Sequence, residues 1–142
     1  MQKRGKMKSD GGSLGISAGG HVASGETYEE ACIKEIKEET GLDVSIDDLI
    51  FLGSFSLSVK NSHTQEVIFE MKSNWAYLYG GDLSDLCVEE EEGEGFEWCD
   101  IHEILNYSEN RNTKNFTPHI LFPEVLQTLQ KVLELSTIES FI

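Results

Sequence analysis

Residues 20–42 read GHVASGETYEEACIKEIKEETGL, a stretch with clustered glutamates and a glycine near each end. Within it, Glu35, Glu38 and Glu39 are spaced at i, i+3 and i+4. A helix turns by roughly 100° per residue, so the three carboxylates fall on one helical face. Like charges at this spacing repel each other, and a divalent cation, which prefers oxygen ligands, is the usual reason to hold them together. The spacing therefore predicts a metal site.

Both ends of the predicted helix are marked in the sequence. Thr27 followed by Glu30 fits a capping box, in which each side chain accepts a hydrogen bond from the other residue's backbone N–H. Gly41 fits the position just after a helix, where glycine readily takes the left-handed conformation. We therefore expect a helix that begins after Thr27 and ends before Gly41.

Length and charge limit the class of protein. The 142 residues fit one domain spanning 1–142. The 26 Asp and Glu against 11 Lys and Arg give a formal net charge of −15, which repels nucleic-acid backbones and anionic membranes. We therefore expect no nucleic-acid polymer as a partner, while a small phosphorylated substrate held by a metal ion remains compatible with this charge.

Cysteine usage and hydropathy bear on the compartment. Cys32, Cys87 and Cys99 are odd in number and form no CxxC pair, which disfavours a disulfide framework and a zinc site. No apolar run approaches the ~18 residues of a membrane span, and the first residues lack the apolar core of a secretory signal. These features predict a cytoplasmic protein without a membrane partner.

The remaining segments predict a mixed α/β domain. Two runs rich in β-branched and aromatic residues flank a polar turn and predict a long hairpin. Pro123 suits the first turn of a helix with a periodic apolar face. The predicted elements are a short strand at 14–17, hairpin strands at 49–59 and 67–79, a strand at 96–98, a short helix from Asp100 to 105, and the helix from Pro123.

The stretch 20–42 resembles the Nudix box, G-x5-E-x7-R-E-U-x-E-E-x-G-U with U a bulky aliphatic residue. Lys34 stands where the family has arginine, which keeps the charge but loses the planar, bidentate guanidinium. The short segments GFEW and FPEVL also resemble segments of Nudix proteins. The segment SAGGHV is similar to the isopentenyl-diphosphate-isomerase-like branch of the family. The matching box positions are Gly20, Glu26, Glu35, Ile36, Glu38, Glu39, Gly41 and Leu42.

The resemblance implies a Nudix α/β/α sandwich with a mixed central sheet. Nudix domains usually have one or two strands before the box, and residues 1–4 fit only the tail of such a strand. We therefore expect a sheet that lacks its N-terminal strand or strands, a strand supplied by a partner, or a truncated start. An unpaired sheet edge tends to recruit another chain, so a homodimer is a further expectation.

The resemblance also implies hydrolysis of a nucleoside diphosphate linked to another moiety, with Mg²⁺ or Mn²⁺ as cofactor. In this family Glu38 and Glu39 match metal ligands, and the Gly20 carbonyl completes the shell. Glu35 matches a position used either as a ligand or as a general base. A further glutamate often comes from a loop before a late strand, and Glu92 fits that place. The predicted catalytic residues are thus Glu35, Glu38 and Glu39.

The sequence also offers two candidate phosphate-binding residues and two alternative functions. Lys3 and Arg4 are predicted to bind substrate phosphates. A Nudix-like module that binds a nucleotide or a protein without turnover stays open, because Lys34 departs from the box. Isopentenyl-diphosphate isomerase is disfavoured, since its chemistry needs a cysteine in an N-terminal strand and a histidine-rich metal site that this sequence lacks.

Overall fold

The computed structural model describes residues 1–6, 11–60, 65–88, 93–107 and 115–139, and this part of the chain contains both strands and helices. The strands are β1 (Gln2–Arg4), β2 (Leu14–Gly15), β3 (Leu49–Lys60), β4 (Val67–Tyr77) and β5 (Gly93–Phe96). The helices are α1 (Tyr28–Thr40), α2 (Ile101–Leu105) and α3 (Pro123–Glu139). Short 3₁₀ turns lie at Ile46–Asp48, Leu83–Asp85 and Pro118–Leu121. The α/β class is as predicted.

The first sheet has the order β2-β1-β5, with antiparallel pairing throughout. Leu14 adds a parallel bridge to Phe116, with backbone hydrogen bonds on either side, so the sheet is mixed at this point. The strand expected at 14–17 ends at Gly15. β1 has a neighbour on each side, so this strand is not an unpaired edge.

The second sheet is the predicted hairpin of β3 and β4. Its register runs from Leu49 opposite Tyr77 to Lys60 opposite Val67, and it is broken by a bulge between Phe51 and Gly53. β4 ends two residues before the predicted boundary. Beyond it the Tyr79 hydroxyl donates to the Asp82 carbonyl at 2.7 Å and closes a turn.

Helix α1 begins and ends where the capping residues predict. The Thr27 hydroxyl accepts from the Glu30 N–H at 3.1 Å, and the Glu30 carboxylate accepts from the Thr27 N–H at 2.8 Å. Gly41 has φ +76° and its N–H donates to the Lys37 carbonyl at 3.0 Å. The orphan backbone groups at both ends of the helix are thus partly satisfied.

The buried core lies where β2, α2 and α3 meet. Leu14, Ile104, Phe116 and Ile120 form one cluster, with Tyr107 edge-on to Phe116 at 5.3 Å between ring centroids. The strand expected at 96–98 lies earlier, at β5, whereas the short helix and the helix from Pro123 are confirmed. Among the described residues, no helix is both long and apolar enough to cross a membrane.

Candidate active site

The loop before α1 lies directly against the helix that carries the carboxylates. A side chain at Gly20 would occupy the position of the Glu35 carboxylate, because a Cβ built there overlaps the carboxylate atoms. A larger residue at this position would therefore displace the carboxylate end of the Glu35 side chain. The close approach brings the backbone of Gly20 to one of the three predicted ligands.

Glu39 is the buried carboxylate of the site, with 8% of the residue exposed. Its Oε2 accepts a hydrogen bond from the Gly19 N–H at 3.3 Å. A buried carboxylate costs considerable free energy unless hydrogen bonds or opposite charges compensate it. The contact of Gly19 with Glu39 has no local signal in the sequence, because 20 residues separate them.

The third predicted ligand, Glu38, is exposed. Among the described residues, no three His, Cys, Asp or Glu side chains form a group that could hold a metal ion. Like charges at i, i+3 and i+4 repel each other, and each of these carboxylates has a different environment. Glu35 lies against Gly20, Glu39 is buried near Gly19, and Glu38 faces solvent.

Lys34, the residue that departs from the box, lies between two glutamates. Its Nζ is 3.9 Å from Oε1 of Glu26 and 3.9 Å from Oε1 of Glu35. These distances are ion-pair contacts and are too long for hydrogen bonds. Glu26 also accepts from the Ala23 N–H at 2.9 Å, which closes the turn before α1. Lys34 thus orients Glu35 by charge, without the bidentate geometry of arginine.

Lys3 and Arg4, the residues predicted to bind substrate phosphates, lie next to each other in β1. The pairing of β1 with β5 shifts register between these two residues, as at a β-bulge. Lys3 Nζ lies 3.5 Å from the Glu94 carboxylate on β5. The aliphatic part of Arg4 packs against Gly15, and its Nε is buried without a hydrogen-bond partner among the described residues. Phosphate binding by Lys3 and Arg4 stays a prediction.

Glu92 lies outside the described residues, so its predicted role as a ligand stays a prediction. The chain shortly before Glu92, at Cys87, lies against the C-terminal end of α1. The Cys87 N–H donates to the Thr40 carbonyl at 2.9 Å. A Cβ at Gly41 would lie 3.1 Å from the Cys87 sulfur, so the chain passes close to the helix cap. Sequence patterns gave no sign of this contact.

The donor set fits a divalent cation by its chemistry. Carboxylate and carbonyl oxygens are the ligands that Mg²⁺ and Mn²⁺ prefer. Gly20 lies in close contact with the Glu35 carboxylate, and Glu39, one helical turn further along α1, is a largely buried carboxylate. Among the described residues, Glu35, Glu38 and Glu39 do not come together around one point.

Comparison with known proteins agrees with the box. The NUDIX domain family matches residues 1–120. A Nudix hydrolase of Deinococcus radiodurans is 42% identical over 75 residues, which are 51% of this chain and 43% of that protein. The ADP-ribose pyrophosphatase of Methanocaldococcus jannaschii is 38% identical over 64 residues, which are 45% of this chain and 38% of that protein. The matched stretches span less than half the length of these curated relatives.

The fold is also similar to a solved structure. The crystal structure of DR0079 from Deinococcus radiodurans superposes with a TM-score of 0.51 and 24% sequence identity, covering 92% of this chain and 71% of that one. The likeness confirms the predicted α/β Nudix fold. The family match takes in the box and all five described strands, so this chain belongs to the NUDIX domain family.

Proposed function

We propose that this chain hydrolyses the diphosphate bond of a nucleoside diphosphate linked to another moiety, with Mg²⁺ or Mn²⁺ as cofactor. The observation that carries the proposal is the contact of the Gly19-Gly20 loop with Glu35 and Glu39. The relative named ADP-ribose pyrophosphatase makes ADP-ribose the first substrate to test. It supports a nucleoside diphosphate linked to a sugar as the substrate class.

In this proposal Glu38, Glu39 and the Gly20 carbonyl hold the cation, with Glu92 as a further ligand. Glu35 acts as a ligand or as the general base. A bound divalent cation neutralises phosphate charge and lowers the pKa of water toward neutrality. The chain's own residues fix the donors: the Gly19 N–H orients Glu39, and Gly20 leaves room for the Glu35 carboxylate.

Glu35 has close neighbours both in the preceding loop and on its own helix. It lies against the backbone of Gly20 and within 3.9 Å of Lys34, and 17% of its side chain is exposed. A general base must be held within reach of the attacking water, directly or through one water molecule. This restriction suits a residue that accepts a proton in a fixed direction.

The predictions of phosphate-binding residues, family branch, cellular location and dimerisation remain predictions. Lys3 and Arg4 stay candidates for phosphate binding, with Arg4 favoured because its Nε lacks a described partner. Neither relative described above is named for isopentenyl diphosphate, so kinship with that branch rests on SAGGHV alone. The cytoplasmic location and the homodimer also stay predictions.

The direct test is turnover of ADP-ribose and other nucleoside diphosphate derivatives with Mg²⁺ or Mn²⁺. We expect Glu38→Gln and Glu39→Gln to lower kcat by about 100-fold or more, since each removes a ligand charge. Glu29→Gln, which makes the same change at an exposed position of α1, is the matched control and should leave turnover unchanged. If no substrate were turned over in a metal-dependent way, the proposed function would be wrong. If both site variants kept full activity, the assignment of the ligand residues would be wrong.

A non-catalytic binding module is the second candidate. It is favoured by the exposure of Glu38 and by the lack, among the described residues, of a three-carboxylate group. It predicts that ADP-ribose binds to the protein by calorimetry without any metal-dependent hydrolysis. Binding that is unchanged in Glu38→Gln, together with absent turnover, would select this candidate over the hydrolase.

A further inference from the structure

One side of the β3–β4 hairpin is apolar and open; we call it the outer hairpin face. It carries Val67, Phe69 and Met71, which alternate along β4 and therefore form one row. Phe69 is 80% exposed and Met71 is 61% exposed. With Phe51 and Tyr77, the row exposes on the order of 500 Å² of apolar surface, near the upper limit for the largest patch on a monomer.

A row of small side chains lies beside this apolar row. Ser58 is directly opposite Phe69, and Ser56 is directly opposite Met71. Residues opposite each other in an antiparallel pair lie on the same face. The outer hairpin face therefore combines a high apolar ridge on β4 with a shallow serine groove on β3.

The outer hairpin face also lacks carboxylates, although the chain has 26 Asp and Glu and a net charge of −15. Along the register from Leu49 to Lys60, the one ionisable side chain on this face other than Tyr77 is Lys60, at its end. Glu70 and Lys72 alternate to the opposite face, where their charged atoms are 2.6 Å apart. Two copies of so acidic a chain repel each other, and close contact costs least where acidic groups are absent.

We propose that the outer hairpin face is the contact surface between two copies of this chain. A two-fold axis across the hairpin sets the apolar ridge of one copy on the serine groove of the other, and the reverse. A nucleic acid or a phosphorylated ligand would need more cations than Lys60 provides. About 500 Å² per copy is less than the ~800 Å² of a stable complex, so the dimer is weak and depends on concentration.

Sedimentation velocity on the full chain, from about 1 μM to about 1 mM, tests the proposal. We expect the weight-average mass to rise from 15.9 kDa toward twice that value with concentration. Phe69→Ser and Ser58→Glu should each raise the dissociation constant at least about tenfold, the first by removing the ridge and the second by placing two like charges in the contact. Ile68→Ser, which alters the neighbouring residue on the opposite face, is the control and should follow the wild type.

Circular dichroism shows whether each variant folds, and Ser58→Glu keeps the test valid if Phe69→Ser does not. A wild type that stays monomeric at every concentration would overturn the proposal. So would a dimer that neither substitution weakens. Phe69→Ser could also abolish ADP-ribose turnover while its weight-average mass follows that of the wild type. The outer hairpin face would then bind substrate, and the proposal would fail.

Discussion

The box helix α1 and the β3–β4 hairpin present opposite surfaces to solvent. On α1, carboxylates are concentrated, and Glu35 and Glu39 are held by contacts with the preceding loop. On the outer hairpin face, carboxylates are absent and large apolar side chains such as Phe69 are exposed. The first surface suits a cation and a phosphorylated substrate, whereas the second suits another copy of the chain. The two proposals thus concern different elements, α1 for the reaction and the β3–β4 hairpin for association.

The largest effect in this comparison should come from Gly20→Ala. The new methyl group would occupy the position of the Glu35 carboxylate, so the end of the Glu35 side chain must move away. We expect turnover to fall by about 100-fold, because small displacements of catalytic groups have effects of that size. Gly80→Ala is the control, since a Cβ there meets nothing within 4 Å. Equal turnover of the two variants would show that the loop contact has no role in catalysis.

The loop contact also shows what the sequence could predict. The capping box and Gly41 fixed both ends of α1 because capping depends on residues three or four positions apart. The hairpin followed from two β-rich runs and a turn. By contrast, the contacts of Gly19 with Glu39, and of Cys87 with Gly41, join distant segments and leave no local pattern. The spacing of the glutamates likewise predicted a shared face, but not the burial of Glu39 or the exposure of Glu38.

Lys34→Arg should have a smaller effect, and in the favourable direction. Arginine can form two parallel hydrogen bonds with a carboxylate, whereas Lys34 reaches Glu26 and Glu35 only at 3.9 Å. We expect turnover to rise roughly two- to fivefold, as partly exposed ion pairs contribute up to about 1 kcal/mol. Lys37→Arg is the matched control, because Lys37 pairs with Asp43 instead. A fall in turnover for Lys34→Arg alone would show that lysine is the better residue in this chain.

The smallest effect concerns the start of α1. Hydrogen bonds from the backbone and hydroxyl of Thr27 lower the pKa of Glu30 from its ordinary value near 4.5. A carboxylate whose pKa is lower in the folded state stabilises it above the unfolded pKa, and this stability is lost as pH falls through the folded pKa. The melting temperature of the wild type should therefore fall more steeply below about pH 4.5 than that of Glu30→Gln. Parallel curves for the two proteins would show that this cap does not contribute.

Calorimetric titration with Mn²⁺ tests the central claim most directly, because it measures the predicted cation site without assuming a substrate. We expect the wild type and Glu29→Gln to bind Mn²⁺ equally, and Glu39→Gln to bind it at least about tenfold more weakly. Phe69→Ser should bind Mn²⁺ like the wild type, since Phe69 lies on β4 and has no oxygen ligand to offer in its side chain. Unchanged Mn²⁺ affinity in Glu39→Gln would contradict the account.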